Sequence, residues 1–225
     1  MGYEKNLIKT LPRTSRDIKQ RKDSKDSGVV EISRRFGCDY FDGDRKYGYG
    51  GYYYDGRWLT VAKSLIQEYS LTAGMKVLDV GCAKGFLVKD LMISCPGLEV
   101  FGIDVSDYAL LNADPKIVGR LHLGSAEKLP FPNEVFDLVI SINTLHNLEQ
   151  NQIITALSEI QRVSKRNSYI VVDSYRNSYE KEIFLDWVLT AKFHEYPQGW
   201  IDLFAKAGYT GDYYWTIINE RGENE

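Results

Sequence analysis

The stretch DVGCAKG, Asp79 to Gly85, has the residue types of a ligand-binding turn. Gly81 and Gly85 stand four apart, so the backbone is bare enough for close approach, and a helix starting there offers free N–H groups. A dinucleotide-binding turn needs a further glycine where this chain has Ala83. A diphosphate would meet that methyl group, whereas a ligand without phosphates would not. Asp104 follows Gly81 by 23 residues, at the end of the apolar stretch EVFGID. A carboxylate there can accept hydrogen bonds from both hydroxyls of a ribose. Together the two stretches ask for a nucleoside and do not insist on phosphate.

These residues need a frame. From Asp55, which can cap it, a helix is predicted through Trp58, Val61, Ala62, Leu65, Ile66 and Tyr69. Apolar runs over 75–82, 99–106, 121–127, 136–142 and 168–175 then alternate with helical patterns, and DYYWTIIN is predicted as a last strand. Strands apolar on both faces, alternating with helices, imply a doubly wound, mostly parallel α/β sheet with helices on both sides. Six or seven strands fit, because LTAKFHEY leaves room for an irregular one. In such a sheet the ligand lies beyond the C-terminal strand ends at the switch point.

VLDVGCAKG, GIDVS, GSAEKLPFPNEVFDLVIS and VSKRNSYIVVD, in this order and spacing, resemble the class I S-adenosylmethionine-dependent methyltransferases of the small-molecule type. The resemblance runs from Met75 to Asp173, 99 of the 225 residues. It implies the Rossmann-like methyltransferase fold, with S-adenosylmethionine as cofactor, S-adenosylhomocysteine as product and no metal. By position, Gly81, Cys82, Ala83 and Gly85 would wrap the methionine part and the sugar, with Asp79 at the loop's start. Asp104 would hold the ribose and Val105 would flank the adenine. Ala126 and Glu127 would line the adenine, and Asn143 would lie near the methionyl end. Relatives often have an aspartate where Ser125 stands; its hydroxyl can still accept the adenine amino group, without a charge. The family sheet usually closes with two C-terminal strands, whereas one obvious strand follows Gly208 here.

Methyl transfer needs a general base only where the acceptor holds its proton tightly. The candidates are His146, in the loop after the fourth strand, and His194, in AKFHEYPQGW; ordinary hydrogen-bonded histidines are the competing reading. No Asp-Pro-Pro-Tyr or Asn-Pro-Pro-Tyr segment follows strand four, so amide or adenine N-methylation is not favoured. The segment YFDGDRKYGYGGYYYDGRW, Tyr40 to Trp58, holds six of the 16 tyrosines and five glycines. The resemblance places an N-terminal lid here. Aromatic faces suit a sulfonium and glycines permit opening and closing. Tyr47, Tyr49, Tyr52 and Arg57 are the expected lid or substrate residues; a plain packing loop is the alternative.

A net charge of −3 does not favour nucleic acid, and the longest apolar runs are too short to span a membrane. Three scattered cysteines support neither a zinc site nor a disulfide framework, and without a secretory signal the setting expected is cytoplasmic. Residues 1–35 are basic and poor in apolar side chains, which predicts a flexible arm dispensable for cofactor binding; an arm that orders on a partner subunit or an anionic ligand is the alternative. Residues 36–74 would form the lid and its helix, and 75–225 the catalytic domain. The expected partner is a small-molecule acceptor, a polar metabolite such as a sugar or nucleotide-linked compound methylated at oxygen; a homodimer is left open. A protein or RNA methyltransferase and a non-catalytic cofactor-binding module are the other readings.

Overall fold

A computed structural model describes residues 2–12 and 16–219. Six strands form one sheet: β1 Lys76–Val80, β2 Glu99–Asp104, β3 Leu121–Leu123, β4 Phe136–Ile142, β5 Ser164–Ser174 and β6 Asp212–Ile217. Their order is β3-β2-β1-β4-β5-β6 and every pairing is parallel. The order reverses at β1, so its C-terminal end opens between β2 and β4.

Successive strand residues point to opposite faces, and here both faces are covered. Val77, Leu138, Ile140 and Val171 pack with α4 (Leu59–Glu68) and α5 (Phe86–Ser94) through Val61, Leu65, Leu87 and Leu91. Their neighbours Leu78, Val139, Ile170 and Val172 pack with α7 (Gln150–Val163) and α9 (Pro197–Lys206) through Ile153, Leu157, Trp200 and Phe204. A capping box between Glu149 and Gln152 starts α7, and a proline in the first turn starts α9. The segment LTAKFHEY forms no strand, and β6 reaches β5 directly, pairing from Tyr169–Asp212 to Ser174–Ile217. The sheet of the described residues is therefore six-stranded.

Two local expectations change. The α4 helix starts at Leu59 rather than Asp55, because Gly56 has φ +75° and Asp55 turns to Arg57 instead of capping. The expected flexible arm is docked along its described length. Residues 2–5 run beside β6: Lys5 N–H donates to Tyr213 O at 2.8 Å, and Tyr213 N–H donates to Tyr3 O at 3.1 Å. This covers the edge of the sheet. The Lys5 ammonium meets Asp212 and Glu68, and Ile8 is buried on the α4 and α5 side. Farther on, α1 (Ile18–Ser24) buries Ile18 against Ile183 and Phe184 of α8 (Ser178–Trp187), and α2 (Ser27–Ser33) follows. Composition underrates such a segment, because a few well-placed apolar side chains and one strand-like pairing suffice to dock it.

Candidate cofactor and acceptor site

The loops after β1, β2 and β4 enclose a cavity of about 190 Å³ with Asp79, Gly81, Cys82, Ala83, Asp104 and Asn143 in its wall. Backbone conformation builds its floor. Gly81 (φ +84°), Ala83 (φ +50°) and Gly85 (φ +72°) alternate into the left-handed region, which lifts the loop clear of β1 before α5 begins. A Cβ at Gly81 would collide with the Thr144 side chain, so this glycine is required by the β4 loop as well as by its own φ.

Asp104 ties two loops together. Its Oδ2 accepts the Ala83 N–H at 2.7 Å and its Oδ1 accepts the Ser106 N–H at 2.8 Å. A carboxylate has about four lone-pair sites, so each oxygen keeps capacity for a ribose hydroxyl. Burial raises the Asp104 pKa, and these N–H groups oppose the rise.

Asp79 is 5% exposed, and no ion pair or hydrogen bond to its carboxylate is formed among the described residues. Burial, then the charge of Asp104, pushes it up to about 7. Two further polar atoms around the cavity are buried without a well-formed hydrogen bond, the Asn147 Oδ1 acceptor and the Trp58 Nε1 donor, the latter beside the Tyr52 hydroxyl. Two acceptors and one donor left open suit a ligand carrying an ammonium and a carboxylate, as the methionyl part of S-adenosylmethionine does. The residues present thus fit that cofactor.

Of the residues expected around the adenine, Val105, Ser125 and Ala126 line the cavity. Glu127 does not: its carboxylate accepts the Gln152 amide at 3.1 Å and faces α7, while its N–H bonds the Ser125 hydroxyl. Gly85 lies behind the wall, under Ile117 and Leu121. Asn143 (φ +53°) lines the cavity, with Oδ1 accepting the Thr216 hydroxyl at 2.9 Å.

The roof is aromatic. Phe36, Tyr40, Phe41, Tyr49, Tyr52 and Trp58 all face the cavity. Tyr49 lies 4.5 Å from Tyr52 and 5.2 Å from Tyr40, ring to ring, and Tyr52 stacks on Phe86 at 4.7 Å. Burial raises the pKa of Tyr40 and Tyr52, which keeps their hydroxyls protonated, whereas the Tyr49 ring is 45% exposed at the outer side of the roof. A charged clamp fastens this roof. Lys84, inside the glycine loop and 5% exposed, places Nζ 2.6 Å from Asp42 and donates to Tyr52 O at 3.0 Å. The Tyr108 hydroxyl donates to the same carboxylate at 2.7 Å.

The remaining expected residues lie elsewhere. Tyr47 packs under Lys46 outside the cavity wall, and Arg57 is spent on Asp55 at 2.7 Å. His146 is buried behind the wall, where Nδ1 accepts the Asp173 N–H and Nε2 lies 3.5 Å from the Asp173 carboxylate. Both ring nitrogens are engaged, so His146 has none left for an acceptor's proton. His194 bonds the Tyr175 hydroxyl at 3.0 Å and packs on Phe184, also away from the cavity. Burial and then Lys181 lower its pKa. The clamp of Lys84, Asp42 and Tyr108 escaped sequence reading. Its one signal was a lysine between two glycines of the ligand loop. Among the described residues no group of three His, Cys, Asp or Glu could hold a metal ion.

Comparison with known proteins agrees with this geometry. Residues 78–172 match the family model described as a methyltransferase domain. Similar curated chains include a ubiquinone/menaquinone biosynthesis C-methyltransferase UbiE of Syntrophotalea carbinolica, 32% identical over 52% of this chain and 50% of that one. A malonyl-[acyl-carrier protein] O-methyltransferase of Legionella pneumophila is 29% identical over 53% and 43%. The arginine-hydroxylase NDUFAF5 of Rattus norvegicus is 34% identical over 42% and 27%. The chain thus spans about half or less of the length of these relatives. Among solved structures, the YcgJ protein of Bacillus subtilis superposes with a TM-score of 0.55 at 20% identity, covering 65% of this chain and 66% of that one. A SAM-dependent methyltransferase of Archaeoglobus fulgidus gives 0.53 at 21%, covering 67% and 68%. Those likenesses speak for the fold, and the family match speaks for the domain: residues 78–172 belong to the class I S-adenosylmethionine-dependent methyltransferases.

Proposed function

We propose that the whole chain is a cytoplasmic S-adenosylmethionine-dependent methyltransferase acting on a polar small molecule, at an oxygen of a sugar or nucleotide-linked compound. The observation that carries this reading is one cavity with two unlike halves: a floor of Asp79, without a partner among the described residues, and loop-bound Asp104, and a roof of tyrosines. The floor suits the cofactor's cationic and sugar groups. The roof presents aromatic faces with hydroxyl tips, which match the C–H faces and hydroxyls of a sugar-like acceptor. The cofactor supplies an activated methyl group when bound. The chain's own residues do the rest. Asp104 would hold the ribose, Asp79 and Asn147 the ammonium, and Trp58 Nε1 the carboxylate. Tyr40, Tyr49 and Tyr52 would exclude water and align the acceptor.

Among the described residues no histidine lines the cavity, so this reading leans on alignment rather than on a strong base. A free basic arm would favour a protein or RNA acceptor. With the arm folded along β6 and α8, that support weakens. The three free cysteines suit a reducing compartment. Among the described residues no helix is long and apolar enough to cross a membrane.

The test is incubation with methyl-labelled S-adenosylmethionine and a small-molecule extract, followed by mass spectrometry. A labelled polar product that disappears with Asp104→Ala is expected. Labelled protein or RNA instead, or cofactor binding without any turnover, would overturn the proposal.

A further inference from the structure

We propose that Arg16, Arg21 and Arg45 form a site for a phosphate-type oxyanion, separate from the cofactor cavity and set behind its aromatic roof. The three guanidinium carbons lie 5.7, 4.8 and 5.1 Å from the centre of one indole, that of Trp187 at the end of α8. Arg21 is only 6% exposed. Beside them opens a second cavity of about 370 Å³, whose wall includes Arg21, Arg45, Lys46 and Trp187.

Each guanidinium carries five N–H donors, and few are used. Arg21 donates to Lys46 O at 2.8 Å and Gly48 O at 3.3 Å. Arg45 donates to Gly48 O. Arg16 makes no hydrogen bond to another described residue. No ion pair joins any of the three to a carboxylate among the described residues. Asp17 and Asp44 also line the cavity, but Asp17 caps α1 and Asp44 accepts the Lys46 N–H. Asp173 is the carboxylate whose field reaches Arg16. Burial lowers the pKa of all three arginines, and the charge of Arg45 lowers Arg16 and Arg21 further. Stacking on Trp187 offsets part of this, since cation–π contacts favour guanidinium. It does not remove the repulsion felt by Arg21, which is buried and poorly screened, while Arg16 is half-buried and Arg45 reaches solvent. A multivalent oxyanion would neutralise the cluster and take up several unused donors at once, and the planar guanidinium fork matches phosphate geometry.

The position adds consequence. Gly48 O receives both Arg21 and Arg45, and the next residue is Tyr49 of the roof. An anion here therefore bears on the segment that closes the cofactor cavity. Its source is either a phosphoryl group of the acceptor or a free anion. The first of these rests on the methyltransferase reading above; the site itself does not.

The experiment titrates inorganic pyrophosphate into the full chain at constant ionic strength by calorimetry, and follows melting temperature in parallel. S-adenosylhomocysteine titration of every sample reports separately on the cofactor reading. Wild type should bind pyrophosphate and melt higher with it. Arg16→Gln and Arg45→Gln should each weaken pyrophosphate at least tenfold, the loss expected for a charged hydrogen-bond partner, and leave S-adenosylhomocysteine affinity unchanged. Lys22→Gln, which removes a cation paired with Asp186, should not matter. Without anion, Arg16→Gln loses its stacking on Trp187 but also a repelling charge and no hydrogen bond to a described residue, so it should melt near wild type. A merely structural arginine would lower it. Should Arg45→Gln fail to fold, Arg16→Gln decides alone. Absence of binding heat, or equal binding by wild type and Arg16→Gln, overturns the proposal and leaves the cluster as a joint between α1, the roof segment and α8. Native mass spectrometry after exposure to a small-molecule extract then separates the sources. An organic phosphate ester retained by wild type and lost in Arg16→Gln assigns the acceptor, and inorganic phosphate alone assigns a free anion.

Discussion

Lowering the pH from 8 to 6 should weaken cofactor binding through one buried carboxylate. Asp79 has no cationic partner among the described residues, and burial followed by the charge of Asp104 pushes its pKa to about 7. An ammonium at this position favours the ionised form. Binding therefore requires loss of a proton that the free protein holds below neutrality. At pH 8 most Asp79 is already ionised; at pH 6 about one-tenth is, so affinity should fall roughly tenfold, or about 1.4 kcal/mol. The same group affects folding with a definite sign. Its folded pKa lies above the ordinary 3.8, so between those values the folded state binds more protons. Stability is then fullest below the ordinary pKa and declines as pH rises through about 7, by up to roughly 4 kcal/mol from this group. Asp79→Asn should accordingly stabilise the unliganded protein at pH 8 and weaken the cofactor there. It should also flatten the pH dependence of binding. Calorimetry with S-adenosylhomocysteine at pH 6, 7 and 8, with thermal melts of both proteins, provides the measurement. Wild-type affinity that is flat across this range, or a pH dependence that survives in Asp79→Asn, would refute the reasoning.

Four other outcomes are expected. Asp104→Ala should lose about 1.5–3 kcal/mol of S-adenosylhomocysteine affinity, ten- to a hundredfold, in a folded protein. Lys84→Met leaves Asp42 without its buried cation, so hydrogen exchange should speed up across residues 47–54; a melt should show a loss approaching the 3–5 kcal/mol of a broken buried pair. Burial works against the depressed pKa of Asp42, but Lys84 and the Tyr52 and Tyr108 hydrogen bonds outweigh it. The clamp is thus complete above the ordinary carboxylate pKa and fails as pH drops through the lowered one. Tyr49→Ala with Tyr52→Ala should cut turnover more than stability, whereas Tyr47→Ala should leave turnover near wild type. Ile8→Ala should cost about 2–5 kcal/mol in a denaturant titration, where an undocked arm would cost nothing.

Much of the fold was legible in the sequence because parallel strands buried on both faces leave continuous apolar runs, and because a nucleoside site forces glycines and an acid to set distances along the chain. The runs 76–80, 99–104 and 136–142 needed no tertiary information, nor did the spacing of Asp104 from the glycine loop, whereas the hydrogen bond between Ala83 and Asp104 did. What composition could not foresee was docking. Residues 1–35 look polar on average, yet Ile8 and Ile18 each find a prepared apolar surface, Val29 is buried, and β6 has an edge for residues 2–5 to pair with. The site divides in the same way. The residues beside the glycine loop were identifiable by type and spacing, since local backbone geometry dictates them. The histidines were not, because a ring nitrogen's role depends on what lies across space from it; only the fold shows His146 held by Asp173 and His194 by Tyr175. The aromatic segment shows both limits at once. Its tyrosines marked a roof, but which of them face inward depends on Lys84 meeting Asp42 across 42 residues of chain, a long-range ion pair that no local pattern encodes.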